Sequence, residues 1–205
     1  MKRLSGINES VWGDIRKRGL GDSFRDEDKW QLDVIKEFIE KHKLKEGEYS
    51  INGDLSLNVN KNISILKEDL VDGKLPFKFG KVDGTMWLTD DLHLKTLENS
   101  PKEVTGSFVL YENELENFIG GPEIVGENFA ANFNSPLRTL DGSPKKVGGN
   151  YSIVFCTSLV DISGISPEIC GNLELSKDSN IRFGKTFTDE EFRKYSNIKG
   201  IIKRL

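Results

Sequence analysis

A self-similar unit of about 22 residues runs through the middle of this chain, and it constrains the fold more than any other feature. The segment Val104-x-Gly106-x-Phe108-x-Leu110-x-x-Asn113-x-Leu115-x-x-Phe118-x-x-x-Pro122 is echoed by Val125, Phe129, Ala131, Asn134, Leu137, Leu140 and Pro144. It returns as Val147, Gly149, Tyr151, Ile153, Cys156, Leu159, Ile162 and Pro167, and again from Ile169 through Gly171, Leu173, Leu175, Asp178 and Ile181. Upstream, Val82, Gly84, Met86, Leu88, Asp91, Leu94, Leu97 and Pro101 fit the spacing, as do Ile51, Gly53, Leu55, Leu57, Asn60, Ile63 and Leu66. Six copies result, and their glycines at 53, 84, 106, 126, 149 and 171 step by 31, 22, 20, 23 and 22 residues. The long first step implies an insertion between Leu66 and Phe79, expected as a loop or short helical turn on one face of the stack.

Within each unit Gly-x-Φ-x-Φ reads as a short strand, because alternate side chains of a strand point to one face. One such unit cannot bury its apolar side alone, whereas stacked neighbours share a continuous core, so a solenoid follows. Asn60, Asp91, Asn113, Asn134, Cys156 and Asp178 recur two or three residues beyond the strand. Short polar side chains there suit a ladder that hydrogen-bonds the backbone where the chain turns, which gives Cys156 a structural role.

The pattern Φ-x-Φ-x-x-Asn/Cys-x-Φ, closed by an aliphatic pair and a proline, resembles the leucine-rich repeat family over about residues 48 to 183, within a repeat solenoid expected to span 48 to 184. The resemblance implies an α/β solenoid of about six 22-residue units with one short-stranded parallel sheet. The chain departs from that family in the preceding Val-x-Gly and in the Pro-x-x-Val opening, so irregular or 3₁₀ segments are expected on the convex side. A straighter β-solenoid is the other architecture compatible with the pattern. The Val-x-Gly-x-Phe wording is also similar to repeat proteins of large tailed phages.

Both ends differ from the middle. Trp30, Val34, Ile35 and Phe38 fall at helical spacing, with acidic residues in the first turn and lysines near the end, so a capping helix is expected within residues 26 to 47. Thr188-x-x-Glu191 has the form of a capping box ahead of Phe192, Tyr195, Ile198, Ile201 and Ile202, which predicts a second capping helix within 185 to 205, interrupted by Gly200. Residues 1 to 25 form an arm in which Val11 and Trp12 lie near Arg16, Lys17 and Arg18. Apolar anchors beside a cationic run suit either packing along the scaffold or docking to a partner.

Composition removes several function classes. The longest uncharged stretch, Val147 to Val160, has fourteen residues, while a spanning helix needs about 20, so no membrane role is expected. The N-terminus carries no apolar signal region, which predicts a cytoplasmic protein with both cysteines as thiols. Residues 47 to 184 carry 12 basic and 20 acidic side chains, a net charge of −8, and both ends are basic. Nucleic acid is therefore not the expected main ligand; a protein partner or self-association suits the charge better.

Chemistry-bearing motifs are sparse. His42 and His93 are read as surface histidines outside any zinc spacing, Cys156 and Cys170 have no companion to complete a metal site, and Gly19-x-Gly21 lacks the rest of a phosphate loop. No cofactor and no enzymatic activity are expected, since carboxylates such as Asp90-Asp91 read as a solvated face. The strand register instead turns Trp87, Val109, Tyr111, Asn132 and Val154 outward, with Phe133 and Phe155 just past the strands. That row is a candidate protein-binding patch. The expectation is a non-enzymatic, phage-encoded interaction module using this sheet face, with a virion or assembly component docking through its arm as the alternative.

Overall fold

The computed structural model describes residues 26–89, 92–177 and 184–205. Helix α1 (Asp26–Lys41) precedes β1 (Tyr49–Ile51), β2 (Leu57–Val59), β3 (Ile63–Ser64), β4 (Phe79–Val82) and β5 (Met86–Leu88). Then come β6 (Glu103–Val104), β7 (Phe108–Leu110), β8 (Ile124–Val125), β9 (Phe129–Ala130), β10 (Lys146–Val147) and β11 (Tyr151–Ile153). The chain closes with β12 (Glu168–Ile169), β13 (Leu173–Leu175), helix α2 (Asp189–Tyr195), β14 (Asn197–Ile198) and β15 (Ile202–Arg204). Even-numbered strands form one sheet, with β1 antiparallel on its edge, and the remaining odd-numbered strands form a second, wholly parallel one. We call them sheets A and B. The result is a parallel β-solenoid of about five turns.

Two sheets, not one, replace the expected leucine-rich-repeat section. The Val-x-Gly departure from that family is the reason. Val59, Val82, Val104, Val125, Val147, Ile169 and Ile198 align as a β-branched column in sheet A, and branched side chains favour the strand over the helix. Each coil then bends and starts its sheet B strand, where Met86, Phe108, Phe129, Tyr151, Leu173 and Ile202 align. Phe108 stacks on Phe129 with ring centroids 6.2 Å apart, and Phe129 on Tyr151 at 4.9 Å. All three rings are fully buried. A third side, largely without regular strands, returns the chain and contributes Leu94, Leu115, Phe118, Leu137 and Leu140 to the same core.

Pairing also corrects the phase of the repeat. Ile63 lies beside Met86, Phe108 beside Phe129 and Leu173 beside Ile202, so the first coil starts with β2, its repeat valine being Val59, rather than at Ile51. The apparent insertion between Leu66 and Phe79 disappears: it is the ordinary third side, holding a short 3₁₀ turn at Lys67–Asp69. The Val104↔Val125 pairing puts Glu127, not Gly126, opposite Gly106. The real long step lies at the C-terminal end, where α2 is inserted between β13 and β14.

The C-terminal segment is the main secondary-structure correction. The Thr188–Glu191 capping box is present, with Glu191 N donating to Thr188 Oγ1 at 3.2 Å and Thr188 N donating to Glu191 Oε2 at 2.7 Å. Yet α2 stops at Tyr195, and Ile198-x-Gly200-x-Ile202 supplies one more copy of the sheet motif. A Cβ on Gly200 would lie 2.5 Å from the Gly171 carbonyl oxygen, so the residue is a close-packing corner and not a helix interruption.

The turn ladder is real over three coils. Asn113 Nδ2 donates to Leu88 O at 2.8 Å, Asn134 Nδ2 to Leu110 O at 2.7 Å, and Cys156 Sγ to Ala131 O at 3.1 Å. All three side chains are buried, and Asn113 Oδ1 also accepts from Leu94 N at 3.1 Å. Asn60 does not belong to it: it is exposed and donates to Gly47 O. Asp91 and Asp178 lie outside the described residues.

Helix α1 lies against the first coils through Leu32, Ile35 and Phe38, while Trp30, expected on the buried stripe, is exposed. Phe38 meets Phe77 and Phe79 edge-on at 5.2 and 5.6 Å. His42 is not an open surface histidine: its side chain is only 9% exposed, its ring lies 4.1 Å from that of Phe38, and its Nε2 is 2.8 Å from Asp69 Oδ2. Lys41 Nζ and Leu66 N each approach the same carboxylate at 2.7 Å. Burial alone would raise the Asp69 carboxyl, but His42, Lys41 and the Leu66 amide outweigh it and hold it below the ordinary carboxylate value.

Two outcomes follow. Asn113→Ala leaves the Leu88 carbonyl and Leu94 amide without their partner in a dry interior, and should cost about 3 kcal/mol in urea unfolding at neutral pH. Asp69, depressed in the folded state, adds stability that is present above its unfolded value near pH 4 and is lost as pH falls through the lower folded value. The stability gap between wild type and Asp69→Asn, measured by urea unfolding, should therefore shrink on acidification below that value.

Candidate functional site

Sheet A and sheet B present different outer faces. On sheet A, charges of opposite sign meet from coil to coil: Lys81 with Glu103 at 2.8 Å, Lys145 with Glu123 at 2.5 Å, and Lys199 with Glu168 at 3.0 Å. Lys145 is the main reason that the Glu123 carboxyl sits below its ordinary value, and Lys199 has the same effect on Glu168. These exposed pairs each contribute little to stability, and they leave the face self-neutralised.

Sheet B and its edge carry a run of aromatic and apolar side chains, while sheet A exposes the single aliphatic Ile124 on β8 among its described strand residues. Trp87 pairs with Val109 on adjacent strands β5 and β7, and both are half-buried. Just beyond the strands, in the column that alternation places on the same outer side, stand Tyr111, Asn132 and Val154, one, two and one residues past β7, β9 and β11. Tyr111 is 37% exposed, whereas Val154 is buried at 7% and belongs to the packing. Asn132 is half-buried and engaged, its Oδ1 accepting from Ser152 Oγ at 2.9 Å and from Val154 N at 2.7 Å. It fixes the backbone that leads into Phe155.

The next column contains Glu112, Phe133 and Phe155, whose backbones are all left-handed, with φ of 55°, 60° and 62°. An L-residue pays roughly 1–2 kcal/mol for that conformation. At the left-handed corner on the third side the chain uses the residues that tolerate it best, Asn99, Gly120 and Gly142, with φ of 71°, 89° and 83°. At this corner it uses two phenylalanines instead. Inter-coil bonds hold the bend, Glu112 N to Asn132 O at 3.3 Å and Phe133 N to Val154 O at 2.9 Å. The two rings stack with centroids 4.8 Å apart and planes 21° from parallel, which returns about 1 kcal/mol. Phe133 remains 46% exposed and Phe155 partly so.

Six of the seven residues singled out in the sequence thus offer surface in three adjacent columns along the edge of sheet B, and Val154 lies beneath them. Val11, Trp12, Arg16, Lys17 and Arg18 lie outside the described residues. The left-handed corner was not visible in the sequence, because no glycine or asparagine marks it.

Sequence reasoning also missed a second polar ladder at the corner between the sheets. Asn62 Oδ1 accepts from Thr85 N at 2.8 Å, Thr85 Oγ1 from Ser107 N at 3.1 Å, and Ser107 Oγ from Asn128 N at 3.2 Å. Asn128 Oδ1 accepts from Asn150 N at 2.8 Å, Asn150 Oδ1 from Asn172 N at 2.9 Å, and Asn172 Oδ1 from Ile201 N at 3.0 Å. Its signal was available: a short polar residue immediately precedes every sheet B strand from β3 to β13.

Among the described residues no group of three His, Cys, Asp or Glu side chains is placed to hold a metal ion, and no helix is long and apolar enough to cross a membrane. Burial pushes the Cys156 thiol up to about 12. Cys170 is only half-buried on sheet A, with Lys199 Nζ 3.6 Å from its sulfur. Comparison with family models, with curated proteins and with solved structures finds no match for this chain. Because thiol reagents attack the accessible thiolate, the native protein should take up label at Cys170 and not at Cys156. Mass spectrometry of peptides before and after urea addition checks this, with Cys156 labelled only after unfolding.

Proposed function

We propose that this protein is a non-enzymatic protein-interaction module that binds its partner along the edge of sheet B. The observation that carries the reading is the stacked pair Phe133 and Phe155, set at a left-handed corner where smaller residues serve the fold at less cost. Strained positions filled by exposed aromatics favour a role in recognition. Tyr111, Val109 and Trp87 extend the row along the coils, and tyrosine and tryptophan are the residues most often dominant in protein interfaces. Net negative charge on the repeat region favours a partner surface that combines apolar contacts with basic side chains. The sequence resemblance to large-phage repeat proteins makes a phage or host protein in the cytoplasm the proposed partner.

In this reading α1 and α2 serve as end covers of the coil stack, α1 through Ile35 and Phe38 and α2 through Phe192. The face between them is then the surface on which the molecule acts, and the arm at residues 1 to 25 is a second point of attachment.

The experiment is affinity capture with intact protein, with Phe133→Ala/Phe155→Ala, with Trp87→Ala/Tyr111→Ala and with residues 1 to 25 removed. Each aromatic pair should weaken the captured complex at least ~10-fold, with a circular-dichroism melt close to wild type. A partner retained by both aromatic variants and lost only on truncation would move the function to the arm. Variants that unfold would make these side chains part of the fold. Capture of the chain's own copies alone would favour the assembly-component reading instead.

A further inference from the structure

At the corner between the two sheets, the coils from β4–β5 onward each offer two backbone carbonyls to the next. Val125 O and Glu127 O accept from Gly148 N and Gly149 N at 2.9 and 2.7 Å; Val147 O and Gly149 O accept from Cys170 N and Gly171 N at 2.9 and 2.8 Å. Ile169 O and Gly171 O accept from Lys199 N and Gly200 N, both at 2.9 Å. The last coil offers the equivalent pair, Ile198 O and Gly200 O, and no coil follows it among the described residues. Both carbonyls are nevertheless satisfied, because Arg193 Nη1 donates to Ile198 O at 2.8 Å and Arg193 Nη2 to Gly200 O at 3.1 Å.

We infer that Arg193 is a built-in terminator: its guanidinium takes the place of the two amides of a further coil and blocks end-on pairing with a second copy of this chain. The planar fork suits the task, since it holds several N–H donors in fixed geometry and two can serve separate acceptors together. Its placement comes from α2, whose capping box fixes the first turn and whose inserted position between β13 and β14 folds the helix against the end of the stack. Arg204 reinforces the same arrangement, its Nη2 donating to Phe187 O and to Asp189 Oδ1, both at 2.8 Å.

The pairing so blocked is specific. Leu173 lies beside Ile202 and its amide donates to Ile201 O at 3.1 Å, so in a parallel ladder the amide groups of Ile202 and Arg204 point away from β13. That edge joins the Ile198 and Gly200 carbonyls in one row, flanked by exposed Ile201 and Leu205. Unpaired edges of this kind template pairing with another chain. Every copy carries the same row of donors and acceptors, so two copies related by a two-fold axis satisfy one another. This inference is independent of the sheet B reading, because the edge lies at the end of the stack and not on its side.

The test is sedimentation equilibrium over a range of concentrations, with thermal melts in parallel, on wild type, R193M and R193K. Wild type should remain monomeric throughout. R193M keeps the chain length and removes every donor, and its weight-average mass should rise with concentration toward twice that of the monomer. R193K can serve one carbonyl and should associate to an intermediate degree. If R193M fails to fold, association of R193K decides the matter. Folded variants that stay monomeric overturn the inference, including the case in which melting falls and mass does not change, since Arg193 would then merely attach α2. Association of the wild type to the same extent overturns it as well.

Discussion

The close approach of coils at the corner between sheets A and B is the constraint from which the rest of the structure follows. Strands in neighbouring coils pair in parallel, so the backbone must turn at nearly the same place in every coil, and in most coils a glycine fills the point of closest approach, Glu127 taking that position in one. A Cβ on Gly171 would lie 2.6 Å from the Gly149 carbonyl carbon and 2.5 Å from Asn150 Oδ1, well inside van der Waals contact. Glycine at this corner relieves that contact in most coils, and the coil with Glu127 there makes the same pair of amide-to-carbonyl bonds. The next residue along, Asn, Ser or Thr, adds a side-chain acceptor for the following coil. Together they tie each bend to the next through both backbone and side-chain hydrogen bonds.

Once that corner is fixed, the identities of the core columns are almost forced. Residues in register sit a strand spacing apart, so like must pack on like: β-branched residues in sheet A, rings and long aliphatics in sheet B, leucine and phenylalanine on the third side. The buried asparagines close the opposite corner. Their amides answer carbonyls that no strand reaches, and Cys156 takes the same position with a weaker donor. Regular stacking also explains why an exposed feature repeats. A side chain that points outward in one coil has a neighbour directly above it, and this is how Phe133 and Phe155 come to stack.

Much of this was legible before folding was considered. The period, the parallel strand at Gly-x-Φ-x-Φ, the roles of Asn113, Asn134 and Cys156, helix α1 and the capping box of α2 all rest on local spacing. What misled was phase. Ile51, Gly53 and Leu55 imitate the motif, yet β1 pairs antiparallel with β2, and a register that starts there creates an insertion which the chain does not have. Ile198-x-Gly200-x-Ile202 was hidden for the converse reason. Its apolar residues also fit a helical stripe continuing from Phe192, and only pairing with β12 and β13 chooses between the two periods. His42 and Asp69 come from different elements, so nothing in the spacing of either could announce their contact.

The sequence by itself determined that the chain stacks repeated parallel strands around one apolar core, because periodic apolar residues with glycine at the turn have few other ways to leave water. It also determined the composition of the outward row from Trp87 to Phe155. The tertiary structure decided that each coil contributes to two sheets and that Val154 is buried while Phe133 is exposed. It also decided that phenylalanine occupies a left-handed bend and that Arg193 completes the last coil. These depend on which residues meet across about 22 positions of chain, with the longer step at the end, and on the direction each backbone group faces when they do. Spacing along one strand carries no record of that direction.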